Sequence, residues 1–203
     1  MTILVGNQRG GAKNLALHLM SHENDHVEVH EIRGCVSDTV MGALNEIYAL
    51  SKGTKARKFL YSLSANPPKN QTVTTDMLLE DIEKAEKELG LEGQARVIVF
   101  HEKEGRRHAH CVWSRIDTAN MRAIHIPYDR KRLVALTRDI IIERDWSLPK
   151  GLIDKKLRDP KQYNYAEYQR AKRLNIDPKA IKTAVQDAWS AVSYTHLTLP
   201  TKA

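Results

Sequence analysis

The run Phe100–Arg115 limits what this chain can become more than any other stretch. It reads Phe-His-Glu-Lys-Glu-Gly-Arg-Arg-His-Ala-His-Cys-Val-Trp-Ser-Arg. Ala95-Arg96-Val97-Ile98-Val99-Phe100 leads into it as a short apolar, β-branched strand that ends at His101. Beyond it, His108, His110 and Val112 alternate with Ala109, Cys111 and Trp113, the period-2 signature of a second strand. The polar segment between them contains Gly105 and suits a hairpin loop. Opposed residues of an antiparallel hairpin have numbers of constant sum, so His101 opposite His108 sets Val99 opposite His110. All three histidines then leave one face of the sheet. Opposed Cβ atoms lie roughly 4.5–5.5 Å apart and diagonal ones roughly 7–8 Å, close enough for three imidazoles to converge on one metal ion. Three protein ligands leave a position open for water or substrate. The competing reading, three surface histidines on a half-exposed sheet, needs a strand spacing and a hairpin register to coincide by chance.

These residues carry a family resemblance. His108-Ala109-His110, with His101 upstream, resembles the histidine–small hydrophobic–histidine metal motif of the relaxase, or mobilization nuclease, family within the HUH endonucleases. Asn7-Gln8-Arg9-Gly10-Gly11 is similar to that family as well, and the similarity spans about residues 3–185. Many members have an aspartate two residues after the first histidine, where this chain has Lys103; Glu102 or Glu104 is the expected stand-in as supporting acid. The resemblance implies an α+β fold, with a central antiparallel sheet and the metal site in its cleft. It also implies a nucleophile on the first helix that forms a covalent 5′-phosphoryl link, and a divalent ion, usually Mg²⁺ or Mn²⁺. Imidazole ligands by themselves suit borderline transition metals, Zn²⁺ included.

Composition agrees with a polyanionic partner without naming one: the 203 residues carry a net charge of +7. The charge is uneven. Residues 150–173 hold eight Lys/Arg against three acids, and residues 74–92 hold seven acids against two lysines. Cys35 and Cys111 both sit in apolar patterns and are expected to be reduced thiols in a cytoplasm, a bacterial one by the implication of the resemblance. No apolar run approaches the ~20 residues of a spanning helix, so no membrane insertion is expected.

In order, Thr2–Val5 is a short strand leading into a glycine-bearing loop that could offer backbone N–H groups to phosphate. Residues 12–22 read as a helix with Ala12, Leu15, Ala16, Leu19 and Met20 on its apolar face and His18 and His22 beside that stripe. Val27–Ile32 is a second strand. Ser37 or Asp38 is expected to cap a helix that buries Val40, Ala43, Leu44, Ile47 and Leu50. Phe59–Ser64 is a third strand, with Ser62 and Ser64 on the face opposite Tyr61. Thr74 or Thr75 opens an acidic helix whose charges read as a solvated outer face. A short strand is expected at Ala123–Ile126, and Asp129 as N-cap of a helix through Arg144.

Helices over one face of the histidine-bearing sheet make an open two-layer α+β sandwich, residues 1–146. Residues 147–190 read as a basic linker and two short helices. Residues 191–203 follow no pattern from the preceding helix, resemble a translated sequencing adapter, and are expected to be a non-native tail on a chain that was longer in nature.

In relaxases the first helix carries a tyrosine; here Leu17-His18-Leu19 takes its place, so His18 is the expected nucleophile, with His22, Tyr48 or Tyr61 as competitors. Expected DNA contacts are Arg9, Ser62, Ser64, Arg115, Lys155, Lys156, Arg158, Arg170, Lys172 and Arg173. The first functional expectation is site-specific nicking and transfer of single-stranded DNA at the transfer origin of a plasmid or integrative element, together with relaxosome accessory proteins and a coupling protein. A degenerate relaxase that binds DNA without cutting it is the alternative. A hydrolytic zinc enzyme on small substrates is a third, opposed by the positive charge.

Overall fold

The structure, a computed structural model, describes residues 4–21, 25–68, 71–103, 105–153, 163 and 165–196. The chain forms two compact units, Met1–Ser147 and Leu148–Ala203. The first contains β1 (Leu4–Arg9), α1 (Ala12–Leu19), β2 (His26–Arg33), α2 (Val40–Ser51), β3 (Leu60–Ala65) and α3 (Thr75–Leu89). It continues with β4 (Arg96–Lys103), β5 (Arg106–Ser114), β6 (Ile116–Asp117), β7 (Arg122–Ala123) and α4 (Asp129–Glu143). The second unit contains α5 (Lys150–Ile153), α6 (Tyr165–Arg173) and α7 (Pro178–His196).

Five strands make one sheet in the order β1-β3-β5-β4-β2, every neighbouring pair antiparallel. The α+β class and the central antiparallel sheet are as expected. So is the hairpin register: His101 pairs with His108 and Val99 with His110. Gly105 takes the turn at φ +68°, a conformation costly for other residues.

Strand alternation sorts the sheet into two faces. One carries Val97, Val99, His101, His108, His110 and Val112 at its centre, with Leu60, Ser62 and Ser64 and then Asn7 and Arg9 toward the β1 edge. Helices α1 and α2 lie on this histidine face, where Leu15, Leu19, Leu44 and Ile47 bury against Leu60, Val97, Val99 and Val112. Each such side chain contributes roughly 1.5–3 kcal/mol by leaving water. The reverse face is covered by α3 and α4. There Trp113 Nε1 donates to Glu86 at 3.1 Å, and the Tyr61 hydroxyl donates to Asp129 at 3.2 Å. The sandwich thus has one layer more than the sequence suggested. Leu78, Ile82, Ala85 and Leu89 on α3, and Leu133, Ile140 and Ile141 on α4, are buried stripes that need a sheet face of their own.

Several local expectations change for physical reasons. Thr39, not Ser37 or Asp38, caps α2, its hydroxyl accepting from the Gly42 N–H at 3.1 Å; Ser37 instead accepts from the Thr39 N–H. Met20 and Leu50 turn outward, 42% and 44% exposed, because each lies past the edge of its helix's buried stripe. Asp129 is the first residue of α4, not its cap: Tyr128 precedes it at φ +53°, and the carboxylate takes the Tyr61 hydroxyl. The strand expected at Ala123–Ile126 reduces to β7, paired with β6. Nor are the acids of α3 all solvated. Asp81 is gripped by both terminal nitrogens of Arg144, at 2.7 and 2.9 Å, and Glu86 binds Arg33, Arg96 and Trp113. In the second unit α6 and α7 are the two expected helices, and α5 forms inside the expected linker. Helix α7 runs on to His196, into the stretch expected to break its pattern.

Candidate metal centre

The β4–β5 hairpin, at the middle of the sheet, gathers His101, His108 and His110 on one face. Ring centroids are 5.3 Å apart for His101–His108, 4.6 Å for His101–His110 and 5.2 Å for His108–His110. One ligand nitrogen from each can be chosen so that all lie within 4.8 Å of one another. Nitrogens bound at roughly 2.0–2.1 Å can be no more than about 4.2 Å apart on a shared ion, so small ring rotations suffice to close the site. The residues fit a divalent cation, with three ligands and an open side.

The protonation states favour it. His101 is buried, 2% exposed, and burial lowers its pKa despite the opposing hydrogen bond to Leu19. Burial pushes His110 well below its ordinary value, and the nearby His101, His108, His18 and Arg9 add to this. Neutral imidazoles are the ligand form. His101 Nε2 lies 2.6 Å from the carbonyl oxygen of Leu19. A carbonyl only accepts, so Nε2 carries the proton and Nδ1 keeps its lone pair for an ion. Such an acceptor behind a metal-binding imidazole fixes its tautomer and orientation.

That carbonyl does what an acid was expected to do. Glu102 follows His101 and therefore projects from the reverse face, where Arg107 binds it at 2.8 Å. Glu104 lies outside the described residues. Sequence reasoning missed the Leu19 contact because its signal is a backbone atom 82 residues away.

Of the expected nucleophiles, His18 comes closest. It is exposed on α1, and its ring meets His110 edge-on at 6.1 Å between centroids. Two of its rivals are placed elsewhere. Tyr61 is fully buried on the reverse face, where burial and Asp129 push its pKa up. Tyr48 packs on Phe59, at the far end of the histidine face. His22 lies outside the described residues.

Ser64 pairs directly across from His110, and its hydroxyl accepts from Asn66 at 2.7 Å; Ser62 lies one step further along the same face and is buried. Arg9 is exposed at the β1 end of that face. Arg115 does not belong to a DNA surface. It is 7% exposed and donates to the carbonyls of Lys58 at 2.5 Å and Ile124 at 2.6 Å, bracing two segments from within. Arg170, Lys172 and Arg173 are exposed on α6, while Lys155, Lys156 and Arg158 fall outside the described residues. No helix among the described residues is long and apolar enough to cross a membrane.

An antiparallel sheet thus gathers three imidazoles beside a helix end, in an arrangement that could hold a metal ion. Residues 14–146 match the family described as Relaxase: MobA/VirD2-like, nuclease domain, and the chain belongs to that family. The matched span starts within α1 and ends just past α4, leaving β1 and α5–α7 outside it. No curated protein and no solved structure matches the chain.

Proposed function

We propose that this chain nicks single-stranded DNA at the transfer origin of a plasmid or integrative element and holds the cut strand covalently on His18. The observation that carries the reading is convergence: an exposed histidine from α1 reaches the edge of a three-imidazole site built on the central hairpin. His101, His108 and His110 would hold Mn²⁺ or Mg²⁺, with Zn²⁺ the third choice. When bound, that ion supplies Lewis-acid neutralisation of a non-bridging phosphate oxygen.

The rest falls to side chains. A ring nitrogen of His18 attacks the phosphorus, a P–N bond forms, the P–O3′ bond breaks, and the 3′ oxygen leaves as a hydroxyl on taking a proton from water, while the ring's other nitrogen gives its proton up to water. The phosphoramidate retains the bond for the reverse, rejoining step. Ser62, Ser64 and Arg9 share the histidine face and are the proposed contacts to the strand entering the site, and Arg170, Lys172 and Arg173 of α6 are proposed as further phosphate contacts. A bacterial cytoplasm, relaxosome accessory proteins and a coupling protein complete the proposal.

The second reading, a homologue that binds DNA without cutting it, is favoured by the lack of a tyrosine near the triad among the described residues. One assay separates them. A suicide single-stranded substrate from the element's origin should leave a covalent protein–DNA band with the wild type and with His22→Ala, but none with His18→Ala. The bond should be acid-labile and base-stable. An adduct that survives His18→Ala ends the nucleophile assignment, and no adduct in any form favours the binding-only homologue.

A further inference from the structure

The triad is not the only place where this domain concentrates chemistry. At the other end of the sheet an open concavity of about 660 Å³ is lined by Lys52, Gly53, Thr54, Lys55, Met121 and Arg122, among others. Its walls are the α2–β3 loop and the β6–β7 hairpin. Residues 52–58 contain four Lys/Arg and no acid. Among the described residues no ion pair forms at Lys52, Lys55, Arg57 or Lys58. The nearest acid on the hairpin, Asp117, is engaged by the Asn120 side chain at 2.7 Å and by the N–H groups of Ala119 and Asn120. Arg122 faces Asp117 across the β6–β7 pair and Lys52 lies over the Tyr48 ring, but the basic groups of the loop outnumber the acids beside them, at a Coulomb cost that an anion would relieve.

The frame is also fixed in advance. Arg115 ties Lys58, in one wall's chain segment, to Ile124, just past the other. Gly10 approaches the Arg57 carbonyl so closely that a Cβ would lie 2.1 Å from its oxygen, which seats the loop after Arg9 against the same segment. Ala56 and Ala123, both lining the concavity, pack against the core under α1 and α2, on the histidine side of the sheet. From His110 to Ile116, the partner of Ala123, is six residues of nearly continuous strand, roughly 20 Å at about 3.4 Å each.

We infer that this concavity is a second DNA-backbone site, in which Lys52, Lys55 and Arg122 hold phosphates of the same molecule that is cut at the triad. At about 3.4 Å per nucleotide along a helix, the phosphates it holds lie within about six nucleotides of the scissile one. The inference rests on the proposed function only for the identity of the polyanion. Its recognition is of phosphate charge, without base contacts.

The test compares Lys55→Ala/Arg122→Ala with a charge-matched control, Lys87→Ala/Lys131→Ala, whose lysines are exposed elsewhere. Fluorescence anisotropy would follow binding of dT6, dT30 and a 30-base-pair duplex across a salt series. Loss of two phosphate contacts should shrink the slope of log K against log salt by about 1.8 on duplex or about 1.4 on dT30, with dT6 little affected and the control unchanged. Whichever long probe responds identifies duplex or single strand as the occupant. Unchanged slopes on both long probes, or an equal loss in the control, would overturn the inference. Binding is read without cleavage, so a protein that never nicks leaves this site standing, and one that nicks with unchanged slopes loses it.

Discussion

His101 Nε2 sits 2.6 Å from the backbone carbonyl of Leu19, the last residue of α1. This bond joins the central hairpin to the helix that carries His18, so a proposed metal ligand and the proposed nucleophile are referred to one backbone atom. Loss of a ring at His101 would disturb both, which makes His108 and His110 the cleaner positions for a test.

Replacing His108 or His110 with Ala should abolish tight Mn²⁺ binding by calorimetry and lower the metal-dependent nicking rate at least ~100-fold, the scale on which loss of a direct electrostatic stabiliser acts. The thermal midpoint of the metal-free protein should change little, because neither ring fills the core. A His108/His110 double variant that nicks at the wild-type rate would refute the site.

Arg115→Ala should damage stability and spare DNA affinity. Two charge-assisted hydrogen bonds of about 1.5–3 kcal/mol each are lost, and two buried carbonyls are left wanting donors. Chemical denaturation should register a loss of at least about 2 kcal/mol, whereas the salt dependence of DNA binding should hold. A stable variant with a reduced salt slope would return Arg115 to the DNA surface.

Glu86 makes acid stability measurable. Burial would raise its pKa, but hydrogen bonds from Arg33, Trp113 and Arg96 outweigh it and hold the carboxyl below its ordinary value of 4.5. A carboxyl depressed on folding contributes stability that is complete above the unfolded pKa and is lost as the pH falls through about 4.5 toward the folded value. Glu86→Gln should cost about 1.5–3 kcal/mol at neutral pH by weakening the charge-assisted hydrogen bonds from Arg33 and Arg96, although Arg96 keeps Glu31. It should also flatten the acid side of the stability curve. If urea midpoints of wild type and variant ran parallel from pH 7 to pH 3, the carboxylate would not be the cause.

What the sequence disclosed, and what it withheld, follows from the range of each interaction. The hairpin register was legible because strand alternation is strictly two-fold, and one pairing places every other. His101, His108 and His110 fell into place with it. The burial of Glu86 and Asp81 was not legible: their partners Arg33 and Arg144 lie 53 and 63 residues away, and an acid on an amphipathic helix reads as solvated until such a partner is known. Arg115 misled for a similar reason. Beside a histidine motif an arginine suggests phosphate, and only the fold reveals that two backbone carbonyls claim it first. The cap of α2 depended on a choice among Ser37, Asp38 and Thr39, which propensity cannot make.

The strand order β1-β3-β5-β4-β2 also bears on how the molecule assembles. Only β4 and β5 are neighbours both in sequence and in the sheet; each other pairing must first close a loop across at least one helix. Hairpins form in about 1–10 μs, and distant pairings come more slowly because chain entropy is lost before contacts are gained. The segment bearing all three imidazoles is therefore expected to organise first, with the edge strands β1 and β2 added to it. Val99→Ala and Val112→Ala should then give φ-values well above that of Leu4→Ala in β1, and the opposite ranking would place the nucleus elsewhere. On this order the ligand geometry is present in the earliest ordered piece of the chain, and everything that later surrounds it is built onto a template already in register.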